Sequence, residues 1–347
     1  SPAELVDDLI PEILLRIPPY KPASLVRCSA VCKPWRRILT DPAFLRRYRA
    51  FPGVPPMLGF LINVELPGRR FGARYARTAS FHPRTLDHPD LSALDSRHGR
   101  VLLHAPDRVM AIFVWDPVTV LVAAVLCAAA APGSGRDCDH LDCHGGHFLV
   151  AVVGTTVEGR TCACVYSSEA TAWGDATYAK EDLDDAFEDM DMRPSALVGN
   201  TINFITARSK TIVEFDLGRW QLALIDPPFV SNDYAVVMPA AGGALGFAAV
   251  QGTSLHLWSR EAGPDGIAAW KQLRVIEFNT LRTRAPLCRP SAVVGFAEGL
   301  HAVFVQTDDG VFAIELRSGR AKKVSSRNRT SVDIVIPYMS FYTPGNL

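Results

Sequence analysis

The sequence predicts a mainly β protein with a small α domain: an N-terminal helical module followed by a β-propeller of about six blades. Three observations predict it. Apolar residues follow a helical period only between Leu5 and Tyr48, and after about Met57 they alternate as in strands. Beyond residue 90, short β-rich runs come in pairs, and the pairs recur every ~45–55 residues, which is the spacing of four-stranded propeller blades. The pairs do not alternate with helical stretches, which argues against a parallel α/β sheet. At ~48 residues per blade, the roughly 290 residues of the β region make about six blades.

Composition sets the outer bounds. The 347 residues are 48% hydrophobic and 21% charged, enough for a large core and unlike a disordered or low-complexity chain. Lys plus Arg and Asp plus Glu each total 36, so no basic excess is available to grip a phosphate backbone, and no nucleic-acid partner is expected. The longest apolar run, Val120 to Ala131, is short of the ~20 residues a membrane helix needs. The eight cysteines are scattered with no paired Cys-x-x-Cys framework, the pattern of reduced thiols in an intracellular protein. The expected setting is cytoplasm, nucleus or both, with no membrane partner.

The helical module reads in order. Leu9, Ile10, Ile13, Leu14 and Ile17 fall on one stripe, Asp8 suits the N-cap, and Pro11 sits in the first turn. Pro18-Pro19 ends that helix. A second helix starts at Pro22 and carries Leu25 and Val26. Val31 to Leu39 reads as a third. Asp41-Pro42 caps and opens a fourth, with Phe44, Leu45 and Tyr48 inside. Fifty residues of short helices make a marginal core alone, as expected of a module that finishes burying apolar surface on a partner. The expected division is 1–50 helical, 51–56 a Pro/Gly linker, and 57–347 the propeller.

The words Leu5-Val6-Asp7-Asp8-Leu9-Ile10-Pro11-Glu12-Ile13-Leu14-Leu15-Arg16-Ile17-Pro18, Leu25-Val26-Arg27, Val31-Cys32-Lys33 with Trp35-Arg36, and Asp41-Pro42 with Phe44 resemble an F-box. They occur in the family's order and spacing, except that the family usually opens Leu-Pro and this chain has Leu5-Val6. The resemblance implies a Skp-family adaptor as partner and, through it, the cullin and RING subunits of an SCF ubiquitin ligase. It assigns adaptor binding to Leu5, Leu9, Ile10, Pro11, Glu12, Ile13, Leu14, Leu25, Val31, Cys32, Lys33 and Trp35. The basic residues between 33 and 49 read equally as a surface for an acidic adaptor or as a solvated face.

In the β region the expected strands are Arg100–His104, Ala111–Trp115, Phe148–Val153, Thr161–Tyr166, Thr201–Thr206, Thr211–Phe215, Ala244–Val250, Ser254–Trp258, Leu300–Gln306 and Val311–Leu316. Met57 to Val64 and Val332 to Tyr342 lie at opposite ends without a complete blade around either, so they are expected to share one and close the ring. Ser96 to Leu103 followed by Val114-Trp115-Asp116-Pro117, Val165 to Glu169 with Trp173, Ile212 to Leu217, Leu255 to Trp258 with Trp270, and Gly310 to Leu316 together resemble plant F-box-associated domains.

Chemical motifs are sparse. Cys138, His140, Cys143, His144 and His147 form a Cys/His-rich stretch whose spacing fits no standard zinc pattern; a loop is expected and no metal. The acidic run 181–191 lacks the Gly and ligand order of a calcium loop. Its Asp184, Asp185 and Asp189 are candidates for docking a basic substrate, against the plainer reading of a solvated face. No nucleotide, nucleophile-elbow or zincin motif occurs, and His98, His104, His256 and His301 read as structural. No cofactor and no catalytic residue are expected. The resemblance implies a non-catalytic substrate-recognition subunit for protein ubiquitination whose propeller selects a target protein; the rival reading is a propeller enzyme or glycan-binding lectin with a helical cap.

Overall fold

The computed structural model describes residues 9–66, 69–77, 87–88, 90–105, 112–115, 126–127, 146–156, 160–180, 194–206, 211–229, 235–263, 267–278, 292–307, 309–326 and 332–341. Four short helices come first: α1 (Leu9–Leu15), α2 (Pro22–Ser29), α3 (Lys33–Thr40) and α4 (Pro42–Ala50). Proline occupies the first turn of α2, α3 and α4, where its missing N–H costs nothing. The Asp41 carboxylate accepts the Phe44 amide at 2.9 Å and caps α4 as its sequence predicts.

All else in the described chain is β, apart from two one-turn 3-10 helices. Sheet one begins with β1 (Met57–Leu66), β2 (Arg69–Arg77) and β3 (Asp87–His88). Sheet two holds β4 (Ser92–Arg97), β5 (Arg100–His104) and β6 (Ile112–Trp115). Sheet three holds β7 (Leu126–Cys127), β8 (Phe148–Thr155), β9 (Thr161–Ser167), β10 (Ala172–Trp173) and β11 (Thr177–Tyr178). Sheet four runs β12 (Ala196–Val198), β13 (Thr201–Ile205), β14 (Ile212–Asp216) and β15 (Gln221–Ile225). Sheet five runs β16 (Ala235–Pro239), β17 (Leu245–Gln251), β18 (Ser254–Ala262) and β19 (Ala268–Glu277). Sheet six runs β20 (Ala292–Ala297), β21 (Ala302–Thr307), β22 (Gly310–Glu315) and β23 (Ala321–Ser326), after which β24 (Val332–Met339) returns to sheet one.

Every sheet is an antiparallel meander, five with four or more described strands and one with three. Buried apolar clusters join each sheet to the next around the circle. Leu61 and Ile336 of sheet one meet Ala93 and Val101 of sheet two, and Leu102 meets the Val150 side of sheet three. Further clusters join sheets three and four, four and five, and five and six. A last one packs Phe304 and Val294 of sheet six against Phe60 and Val335 of sheet one. The sheets are thus the blades of a propeller whose ring is closed.

Closure is as the two ends of the β region predict. β24 pairs antiparallel with β1, placing Ile336 opposite Leu61 and Ile334 opposite Asn63. One blade is therefore held by strands about 270 residues apart, which leaves no open edge at the join. At the seam with sheet six a Cβ on Gly295 would collide with the Val335 carbonyl oxygen, so only glycine lets the two inner strands approach this closely. Between sheets one and two, the buried Asn63 amide accepts the Ala93 N–H at 2.8 Å and donates to the Ala93 carbonyl at 2.7 Å. Between sheets two and three, Arg100 donates to the Gly146 carbonyl at 3.0 Å and lies over the Phe148 ring.

Candidate functional site

The helical module has its own core. Leu14, Leu15, Leu25, Leu39, Phe44 and Tyr48 bury together, with Ile10, Ile17, Trp35 and Leu45 half-buried around them. The Tyr48 hydroxyl donates to the Ile17 carbonyl at 2.8 Å, and burial pushes its pKa up, so it stays protonated. Arg47 of α4 reaches the exposed Glu12 of α1 at 2.6 Å and ties the first and last helices together.

That core divides the single apolar stripe of α1 in two. Leu14 is 1% exposed, whereas Leu9 and Ile13 are 51% and 45% exposed. Val31, just before α3, is 63% exposed. Of the residues the sequence assigns to the adaptor, Leu14 and Leu25 go inward, Ile10, Pro11 and Trp35 lie half-buried, and Leu9, Glu12, Ile13, Val31, Cys32 and Lys33 face outward. Leu5 lies outside the described residues. Of the residues that the resemblance assigns to adaptor binding, Leu14 and Leu25 are part of the six-residue core.

A second site lies where the linker meets the ring. The C-terminal ends of the inner strands β4, β16, β20 and β24 and the start of β12 converge on a cavity of about 500 Å³, whose wall also takes in Glu298, Arg49 of α4 and linker residues 53–55. One corner is polar. Arg97 pairs with Asp95 and donates to the Ser195 carbonyl, while the Ser195 hydroxyl donates to Asp95 at 3.2 Å, so sheets two and four are joined across sheet three. Burial pushes the Asp95 carboxyl up from its ordinary value and outweighs Arg97, the Ser96 amide and the Ser195 hydroxyl, which pull it down. His98 and His301 sit in left-handed turns with φ of 51° and 44°, and both line the cavity.

Sequence reasoning missed this corner, because Arg97 and Ser195 are 98 residues apart and only the folded ring brings them together. His98 and His301 carried the only signal. His256 on β18 has its Nδ1 2.9 Å from Gln272 Nε2 of β19. Cys162 and Cys164 lie on β9, where the Cys164 thiol donates to the Gly174 carbonyl at 3.1 Å. Among the described residues no three His, Cys, Asp or Glu side chains gather as metal ligands, and no helix is long and apolar enough to cross a membrane. Cys138, His140, Cys143 and His144 of the Cys/His stretch, and Asp184, Asp185 and Asp189, lie outside the described residues.

Comparison with known proteins supports the first site. The F-box-like family matches residues 8–50, which are the four helices. No curated protein matches the sequence. Solved structures with some likeness include the extracellular domain of a proposed one component system from B. thetaiotaomicron, at 12% identity and TM-score 0.34, covering 69% of this chain and 28% of that one. The WD40 domain of SCAP from fission yeast is 11% identical at TM-score 0.35, covering 69% and 52%. A protein from Lactobacillus plantarum is 12% identical at TM-score 0.39, covering 78% and 82%. This chain thus spans little more than a quarter of the first of these. The propeller assignment rests on the strand pairing and ring of cores described above. The chain therefore carries an F-box-like helical domain followed by a β-propeller.

Proposed function

We propose that this chain is the substrate-recognition subunit of an SCF-type cullin–RING ubiquitin ligase. The F-box-like module binds a Skp-family adaptor, the adaptor bridges to cullin and RING subunits, and the propeller holds a target protein. The chain does no bond chemistry in this reading; it raises the effective concentration of target near a ubiquitin-charged enzyme carried by the assembly. The functional division follows the sequence, with 1–50 for the adaptor, 51–56 as linker and 57–347 for the target, working in cytoplasm or nucleus. The likeness of the propeller's sequence words to plant F-box-associated domains points to the same role.

One observation carries the reading: the F-box-like match falls on helices whose core is complete and which still present Leu9, Ile13 and Val31 to solvent. Exposed aliphatic residues of this size on so small a domain mark an interaction surface. With them, Leu5, Glu12, Cys32 and Lys33 and the half-buried Ile10, Pro11 and Trp35 form the adaptor face, and Leu14 and Leu25 support it from within. Asp184, Asp185 and Asp189 are proposed as a docking element for a basic target. Co-purification with a Skp-family adaptor tests the reading. The full chain is expected to retain the adaptor and residues 51–347 to lose it; equal retention by both, or by neither, would count against it.

A further inference from the structure

The cavity at the channel mouth has a shape and a chemistry that the adaptor reading does not use. Its volume of about 500 Å³ suits a small molecule. One side is apolar, formed by Leu197, Val237, Phe296, Ile336 and Met339 from four blades. The other is the polar corner, and its hydrogen-bonding inventory is lopsided. The Asp95 carboxylate already accepts from Arg97, the Ser96 amide and the Ser195 hydroxyl. Arg97, with five N–H groups, spends three bonds on Asp95, the Ser195 hydroxyl and the Ser195 carbonyl. The Ser96 hydroxyl, buried at this corner, has no hydrogen-bond partner among the described residues. His98, from the β4–β5 turn, and His301, from the turn before β21, add imidazoles to the wall. The remaining N–H groups of Arg97 and the Ser96 hydroxyl are the donors this corner offers, and the group that answers them is a planar acceptor with several lone pairs.

From this juxtaposition we propose that the cavity is a binding site for a small amphipathic carboxylate, an apolar ring or chain seated against Leu197, Val237, Phe296 and Ile336 with its carboxylate at the Arg97–Ser96–His98 corner. Two features beyond volume support a built site. The two-residue turn His98-Gly99 between β4 and β5 and the left-handed cap at His301 fix both imidazoles at the cavity wall. The linker and Arg49 complete the wall, so a bound molecule touches both the helical module's end and the ring. The inference does not depend on the adaptor reading, since the donors and the apolar side belong to the propeller.

The probe is 2-naphthoate, with its uncharged isostere 2-naphthamide as control, titrated into the full chain by isothermal calorimetry. The expected result is saturable one-to-one binding of naphthoate with Kd on the order of 10–100 μM, and naphthamide weaker by about tenfold or more. Filling the cavity with Leu197→Trp, or separately Ser340→Trp at its rim, should weaken naphthoate by about tenfold or more while thermal melts show a folded protein. Should one variant fail to fold, the other decides. The proposal is overturned by no saturable heat up to about 1 mM, by affinity that the folded filled variant leaves unchanged, or by equal binding of the amide.

Discussion

The helical module and the ring treat their apolar residues in opposite ways. In the module, six residues form a closed core while Leu9, Ile13 and Val31 stay outside. In the ring, apolar clusters run from blade to blade through a full circle, and the two ends of the β region meet in one sheet. A small helical domain gains stability by presenting unspent apolar surface to another protein. A closed ring needs no partner to finish it, so its faces and its central mouth are available for recognition. The comparison teaches where damage should spread: locally in the module, globally in the ring.

The sharpest way to break that contrast is to open the ring. Cutting after Arg329 removes β24, whose Ile334, Val335, Ile336 and Tyr338 are all at most 2% exposed. The loss is expected to be on the order of 5–10 kcal/mol, enough to abolish cooperative unfolding of the whole propeller in a thermal melt. Fraying of one end with the main transition intact would contradict ring closure. A smaller effect should stay in the module. Leu39→Ala empties the centre of the helical core and is expected to cost about 2–5 kcal/mol there. Hydrogen exchange should then rise across α1–α4 and stay unchanged in β13, β17 and β21. Spreading of exchange into the ring would show the two regions to be one cooperative unit.

The smallest effect concerns pH. Burial holds the His104 imidazole below its ordinary value near 6.5, so the folded state prefers the neutral ring. The unfolded chain binds the proton more readily, and stability from this group is lost as pH falls below that ordinary value. The melting temperature should therefore rise from pH 5 toward neutrality, and His104→Gln should flatten part of that slope. An unchanged slope would show that the ring is not titrating there.

How legible each part was in the sequence follows from burial. The expected strands fall on β5 and β6, β8 and β9, β13 and β14, β17 and β18, β21 and β22, which are the second and third strands of their blades. Apart from β6, these are paired on both sides, and several are largely buried, so they read as apolar runs, Leu245 to Val250 most plainly. Inner strands were invisible where they are short, as with the three residues of β12. Outer strands hide because they face water, as the mostly exposed β19 does. The helices were readable from prolines and the Asp41 cap. Which residues of α1 turn outward was not, since Leu9 and Leu14 are equally apolar and only packing of Leu39, Phe44 and Tyr48 chooses between them. The channel mouth was illegible for a different reason: its polar corner joins residues from blades that local pattern cannot bring together.

The contrast between a core that holds the module and a face that it offers is best measured by affinity for a purified Skp-family adaptor. A triple variant Leu9→Ser, Ile13→Ser and Val31→Ser changes only exposed residues. Calorimetric titration should show its Kd raised by about 100-fold or more against the unaltered chain, with the melting temperature moved by no more than about 2 °C. An affinity within about threefold of the unaltered chain at an unchanged melting temperature would contradict the assignment of that face to the adaptor.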